Sequence, residues 1–283
     1  MLYDIDDESD RNASDRPFPF HPTLDPAHYL SEYLAPLDVP AVVYRAVGKY
    51  RTEEIATWSA HQDPRNSLSV FVGSPTKDSH VHTSLAVAHR LRSERAPDLL
   101  VGGVAIPERH ARRRDEHLRM LSKQDSGCSF FVTQVVYDVN AAKNLVSDYS
   151  YECSMRGATP VPIVFTFSVI GGKRTLEFMR WLGVDVPRWI ENEVIHSDDP
   201  LLATHEHPLA AAKDLVSYCR RRGVPVGLNV ESVSSRSVEI EQSVELAHTL
   251  TALLKRHDVG DCPGDDEFSC SRSAPPRARS GGR

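Results

Sequence analysis

Short apolar runs rich in β-branched residues recur along the chain and alternate with segments whose apolar residues repeat at helical spacing. The runs cover residues 2–5, 41–47, 68–72, 99–105, 129–136, 162–167 and 226–231. Most are continuous rather than alternating apolar and polar, the mark of parallel strands covered on both faces. Between them, Asp138 is a good N-cap, and Ala142, Val146, Tyr149 and Cys153 follow it on one helical face. Leu209, Ala212, Val216 and Cys219 repeat that pattern, with Gly223 as a helix stop. Ile240, Val244, Ala247 and Leu254 predict a last amphipathic helix.

Strand–helix alternation through the whole chain predicts an α/β fold with right-handed crossovers. The 283 residues suit one barrel-sized domain. A closed barrel of this kind needs eight strands, and seven runs are visible. The shortfall falls at Met1-Leu2-Tyr3, where the chain starts almost inside a strand. Either strand one lies upstream, the preferred reading, or something else replaces it. The polar stretch 6–24 follows the first run, so in a barrel it is a βα loop on the active-site face. Residues 258–283 are rich in Gly, Pro, Ser and Arg and predict a disordered tail behind a domain of residues 1–257.

Composition narrows the classes. Hydrophobic residues make up 40% and charged residues 25%, the balance of a globular protein. A net charge of −6 argues against a nucleic-acid surface, which would be basic. No apolar run approaches a membrane span, and the acidic, polar N-terminus does not read as a secretory signal. Cys128, Cys153, Cys219, Cys262 and Cys270 show no metal or disulfide spacing, so they read as reduced thiols of a cytoplasmic protein. The first three fall on apolar-periodic stretches and read as core residues.

In a barrel the reactive groups gather at strand C-termini. Those ends carry Asp4, Asp6, Asp7 and Glu8; Gly48-Lys49-Tyr50; Gly73-Ser74; Glu108-Arg109-His110; Thr133-Gln134; Thr166 and Ser168; and Glu231-Ser232 with Arg236 beyond. This mixture of acids, bases and amides suits a ring-shaped polar ligand carrying both donors and acceptors. No Ser/His/Asp order and no thiol with a nearby base is present. Asp4, Asp6 and Glu8 could ligate a metal, as could the pairs His80/His82 and His205/His207, but each His pair lacks a third ligand at useful spacing, and no metal is expected. Gly171-Gly172-Lys173 is either a phosphate cradle at a helix N-terminus or a tight turn.

The run GGVAIPERH…LSKQDSGCSFFVTQVVYDVNAA carries a resemblance. With PVPIVFTFSVIGGKRTLEFMRWLGVDVPRWI it resembles methylenetetrahydrofolate reductase over residues 40–255, most specifically over 102–190. The resemblance implies a TIM (β/α)8 barrel that binds FAD, takes hydride from NADH or NADPH, and reduces 5,10-methylenetetrahydrofolate to 5-methyltetrahydrofolate in one-carbon metabolism and methionine biosynthesis. It implies that Gln134 contacts folate and nicotinamide, that Lys123 pairs with a flavin phosphate and that His110 lies in the flavin site. Glu108 keeps the family's PE dipeptide, and Arg236 falls near a folate-tail arginine. Ser74 and Lys173 complete the expected cofactor positions, and Glu231 and Lys49 the substrate positions. Glu231 either holds the pterin's amino-pyrimidine edge or forms a salt bridge to Lys49.

The sequence also departs from the family. Ser74 stands where the family has aspartate, Ile106 replaces tyrosine, Gly172 aligns with the aromatic that sandwiches folate, and the strand bearing the general-acid glutamate is missing. Two readings follow: a reductase passing hydride directly from NAD(P)H to folate, or a non-catalytic folate- or flavin-binding accessory protein. The first is the leading expectation, with Gln134 and Glu231 as catalytic residues and tetrahydrofolate as partner. A homo-oligomer is compatible with both.

Overall fold

The computed structural model describes residues 1–5, 14–21, 23–37, 39–73 and 82–258. Its centre is a parallel six-stranded sheet in the order β1-β2-β3-β4-β5-β6. The strands are β1 (Ala41–Ala46), β2 (Ser67–Val72), β3 (Val101–Ala105), β4 (Cys128–Val135), β5 (Ile163–Phe167) and β6 (Val226–Val230). The helices are α1 (Pro26–Tyr29), α2 (Thr52–Ala60), α3 (Leu85–Arg95), α4 (Pro107–Arg113), α5 (Glu116–Asp125), α6 (Val139–Arg156), α7 (Lys173–Trp181), α8 (Arg188–His196), α9 (Pro200–Thr204), α10 (Glu206–Arg221) and α11 (Ser237–Asp258). Sequential strand order with right-handed crossovers places the connecting helices on one face of the sheet. The sheet curls away from them into a half-barrel.

The two faces have separate cores. Under the helices, Phe131, Ile163, Phe165 and Phe167 pack with Leu145 and Tyr149 of α6, Leu215 of α10 and Leu250 of α11. Phe71 and Val101 pack with Ile55 of α2 and Ala88 of α3. On the concave face Tyr44, Val70, Phe130 and Val132 form a cluster of strand residues, with Tyr3 and Val104 against it. Gly102 lets Phe130 lie flat there: a Cβ at Gly102 would stand 2.5 Å from the ring. The ring fills one end of the half-barrel, and the strand C-termini stay open.

The closed eight-stranded barrel, with seven strands visible, is corrected. Residues 2–5 form no strand; Leu2 makes a single parallel bridge to Val43 beside β1. Among the described residues β6 pairs with β5 alone, and all five of its residues are half-exposed. A (β/α)8 barrel needs eight strands, and here, among the described residues, the sheet runs from β1 to β6 with no pairing between the two ends. The free edge of β1 is blunted instead: Leu2 exchanges backbone hydrogen bonds with Val42 and Tyr44, and the Asp4 carboxylate accepts from the Ala46 amide at 3.0 Å.

The helices at Asp138 and before Gly223 form as predicted. Asp138 accepts from the amides of Asn140 and Ala141, and Gly223 takes φ +68 just past α10. Helix α11 is turned from its predicted face. Ile240 and Val244 are 43% and 52% exposed, while Glu239, Ser243, Leu246 and Leu250 are buried. Glu239 wins a place inside because Thr175 and Arg236 donate to its carboxylate. Cys128, Cys153 and Cys219 are free thiols in the core, as their spacing predicts. Cys262, Cys270 and residues 259–283 lie outside the described residues.

Candidate functional site

A cavity of about 870 Å³ opens at the C-terminal ends of the strands. Its wall brings together Gln134 from β4, Lys123 from α5, Glu231 beyond β6, and Tyr3 and Tyr44 from the β1 edge. Strand alternation explains the set: Tyr44, Val72, Val104 and Gln134 fall on concave positions of their strands.

The polar centre is Glu231. Its Oε1 accepts from the Tyr3 hydroxyl and, at 2.8 Å, from Asn229 Nδ2, which also donates to Thr166 Oγ1 at 3.2 Å. Burial raises the Glu231 pKa above the usual carboxylate range, and the hydrogen bonds from Tyr3 and Asn229 pull partly back. The rings of Tyr3 and Tyr44 lie 4.4 Å apart as an apolar wall beside it. Gln134 Nε2 donates to the Leu182 carbonyl at 2.7 Å, which fixes the amide plane on the cavity wall. Lys123 runs over Gly103 and donates to the Val104 carbonyl; burial lowers its pKa.

A second cavity, about 720 Å³, adjoins the first and shares Ile106, Arg109, Gln134 and Leu182 with it. Arg112, Arg180, Trp181, Ser14 and Asp15 also line it. Arg109 is held by Glu116 at 2.9 Å, whose other oxygen accepts from the Ile106 amide. Arg180 pairs with Glu191. The described part of the polar loop lies here: the Ser14 carbonyl accepts from Trp181 Nε1, and the Arg16 guanidinium sits over Phe178 and Trp181.

Other expected positions fall elsewhere. Lys49 does not meet Glu231; it pairs at 2.7 Å with Asp4, which lines the cavity, and is not itself a lining residue. His110 points away between α4, α5 and α6, where its Nε2 lies 3.1 Å from Asp148. Lys173 is an exposed first residue of α7. Arg236 donates to the Gly171 carbonyl and to Glu239 outside the cavity. Ser74, Asp6, Asp7, Glu8 and His80 lie outside the described residues. Sequence reasoning missed Tyr3 and Tyr44 as wall residues and Asn229 as the donor behind Glu231. Strand alternation through Tyr44 was the available signal; nothing local marks Tyr3 or Asn229.

No helix among the described residues is long and apolar enough to cross a membrane. No protein-family model matches the chain, and no curated protein matches it. Among solved structures, a Clostridium thermocellum protein that binds two copies of 5-methyl-5,6,7,8-tetrahydrofolic acid is 42% identical, with a TM-score of 0.74 over 82% of this chain and 79% of that one. A 2,3-dimethylmalate lyase is 11% identical over 78% of this chain and 72% of the lyase, with a TM-score of 0.34, too low to carry an argument. The first similarity is decisive: the chain belongs to the same family as the Clostridium thermocellum protein.

Proposed function

We propose that the protein binds a reduced folate in the 870 Å³ cavity, with the pterin between Gln134 and Glu231 and against the Tyr3–Tyr44 wall. The observation that carries this is the relative's ligand: a protein 42% identical binds 5-methyltetrahydrofolate. The cavity chemistry supports it. The amino-pyrimidine edge of a pterin offers neighbouring N–H donors, which a buried carboxylate accepts. One Gln134 amide N–H goes to the Leu182 carbonyl, which leaves its oxygen for a ligand donor.

The adjoining cavity gives room for a second molecule. The relative holds two copies, and the 720 Å³ cavity here shares its wall with the first. Arg109, Arg112 and Arg180 make it suited to a ligand's carboxylates or phosphates.

A second reading, NAD(P)H-dependent reduction of methylenetetrahydrofolate, is favoured by one feature. Glu231 holds its proton more tightly than an ordinary carboxylate, as a group placed to donate one beside the folate would. FAD does not fit this reading. Of the described positions His110, Lys123 and Lys173, only Lys123 is on the cavity wall, and its ammonium is engaged by Val104. Direct transfer from a nicotinamide in the adjoining cavity needs no flavin.

Calorimetry with 5-methyltetrahydrofolate tests the primary reading: binding is expected, with loss in Gln134→Ala, and absence of any binding overturns it. NADH or NADPH oxidation that depends on methylenetetrahydrofolate separates the enzyme from the binding protein. A yellow purified protein with flavin absorbance would contradict the flavin-free form.

A further inference from the structure

Outside both cavities, α4, α5 and α6 bring three metal-ligating side chains to one point. One ring nitrogen each of His110 and His117 and one Asp148 oxygen lie within 4.8 Å of one another. The His110 ring is 2% exposed, and its Nε2 faces Asp148 Oδ2 at 3.1 Å. The His117 ring stands at right angles to it, with centroids 5.2 Å apart. Asp148 is 48% exposed on its side chain and opens the group to solvent.

An Asp148–His110 hydrogen bond alone leaves this arrangement unfinished. A single carboxylate satisfies one nitrogen of one ring. Both Nδ1 atoms are buried, and among the described residues neither has a hydrogen-bond partner. Buried polar atoms of this kind are rare in folded proteins and ask for an explanation. Two buried, incompletely bonded rings that converge with a carboxylate ask for a shared partner, and a cation held by one nitrogen of each ring is one.

The geometry points to a divalent transition-metal site held by His110, His117 and Asp148. Two imidazoles and one carboxylate favour zinc or cobalt over calcium or magnesium, which take oxygen ligands. Three protein ligands with a solvent-facing side leave a fourth position for water.

The site has a structural consequence. His110 and His117 are chain neighbours of Arg109 and Glu116, the ion pair that sets the wall shared by the two cavities. The turn between them passes through Arg114 at φ +55, uncommon for a residue other than glycine. A metal bridging the two histidines clamps that turn, so Asp148 and His117 are positioning residues for Arg109. This inference is independent of the folate reading.

The test uses untagged, chelator-treated full-length protein titrated with Co²⁺ by visible absorbance and with Zn²⁺ by calorimetry. One tight equivalent, ligand-field bands and a higher melting temperature are expected. Asp148→Asn, at an exposed helix position, should keep the fold and weaken uptake more than about tenfold, since even outer-shell changes at metal sites cost 10–100-fold. His117→Gln should do the same. Absence of a tight equivalent, or equal uptake by wild type and Asp148→Asn, overturns the site; if His117→Gln does not fold, Asp148→Asn decides alone.

Discussion

Tyr3 and Glu231 stand 228 positions apart and share a hydrogen bond, the Tyr3 hydroxyl donating to Glu231 Oε1. Tyr3 lies beside the first strand and Glu231 follows the last, so this contact spans the gap that a closed barrel would fill with strands. It ties the two ends of the sheet together and fixes the Glu231 carboxylate of the cavity in one step.

Removing the Tyr3 hydroxyl should therefore cost stability in a pH-dependent way. The Glu231 pKa is raised by burial and lowered by its donors, so losing one donor raises it further. When Glu231 is ionised the lost bond is to a charged group, worth about 1.5–3 kcal/mol; when protonated, it is worth less. Tyr3→Phe is expected to destabilise more at pH 8 than at pH 5 in denaturant melts. Equal losses at both would show that the hydroxyl does not serve the carboxylate.

Gln134 sits on the partition between the two cavities and is tied to Leu182. Truncation to Ala removes a ligand contact and lets the Leu182 carbonyl turn. Affinity for 5-methyltetrahydrofolate is expected to fall by about tenfold or more, the equivalent of about 1.4 kcal/mol. Unchanged calorimetric affinity would remove Gln134 from the site.

Glu108 gives a second pH signature. It is 1% exposed, its Oε2 has no partner among the described residues, and burial pushes its carboxyl up to about 7 from an ordinary 4.5. The folded state thus holds the proton more tightly than the unfolded chain. The stabilisation is complete below about 4.5 and is lost as pH rises through about 7. The separation corresponds to about 3 kcal/mol at ~1.4 kcal/mol per pH unit. Glu108→Gln should match wild type near pH 5, exceed it at pH 8 and flatten the profile of melting temperature against pH. A wild-type profile already flat from pH 5 to 8 would contradict this.

Gly102 is a packing requirement rather than a flexible joint. A methyl there would stand 2.5 Å from Phe130 Cε2. Gly102→Ala should cost about 1–3 kcal/mol, the range for overpacking a filled core. Gly102→Ala with Phe130→Leu should recover part of the loss, which equilibrium unfolding of the three variants measures. No recovery would place the strain elsewhere.

Much of this was legible in the chain. Continuous apolar runs marked β1 to β6 because parallel strands are buried on both faces. Helix α6 was legible from a cap and a repeat, and α10 from its repeat and a stop, signals that act within a few residues. Gln134 and Glu231 could be placed at the cavity because strand C-termini gather at one mouth whenever the sheet is parallel, whereas Lys123, on α5, came only from the family resemblance. The α11 face was not, because its apolar repeat competes with Glu239, whose burial depends on Thr175 arriving from a distant helix as well as on Arg236 one turn before it.

By itself, then, the sequence determined the alternation of strands and helices, the parallel sheet, the core thiols and the end of the sheet where chemistry gathers. These follow from periodicity and capping, which are local. Only the tertiary structure decided that the sheet stays an open half-barrel, that Lys49 pairs with Asp4, that His110 faces Asp148 and that Tyr3 reaches Glu231. Each of these depends on how far six strands curl and on which distant side chains the curl brings within reach, and no short-range pattern encodes that distance.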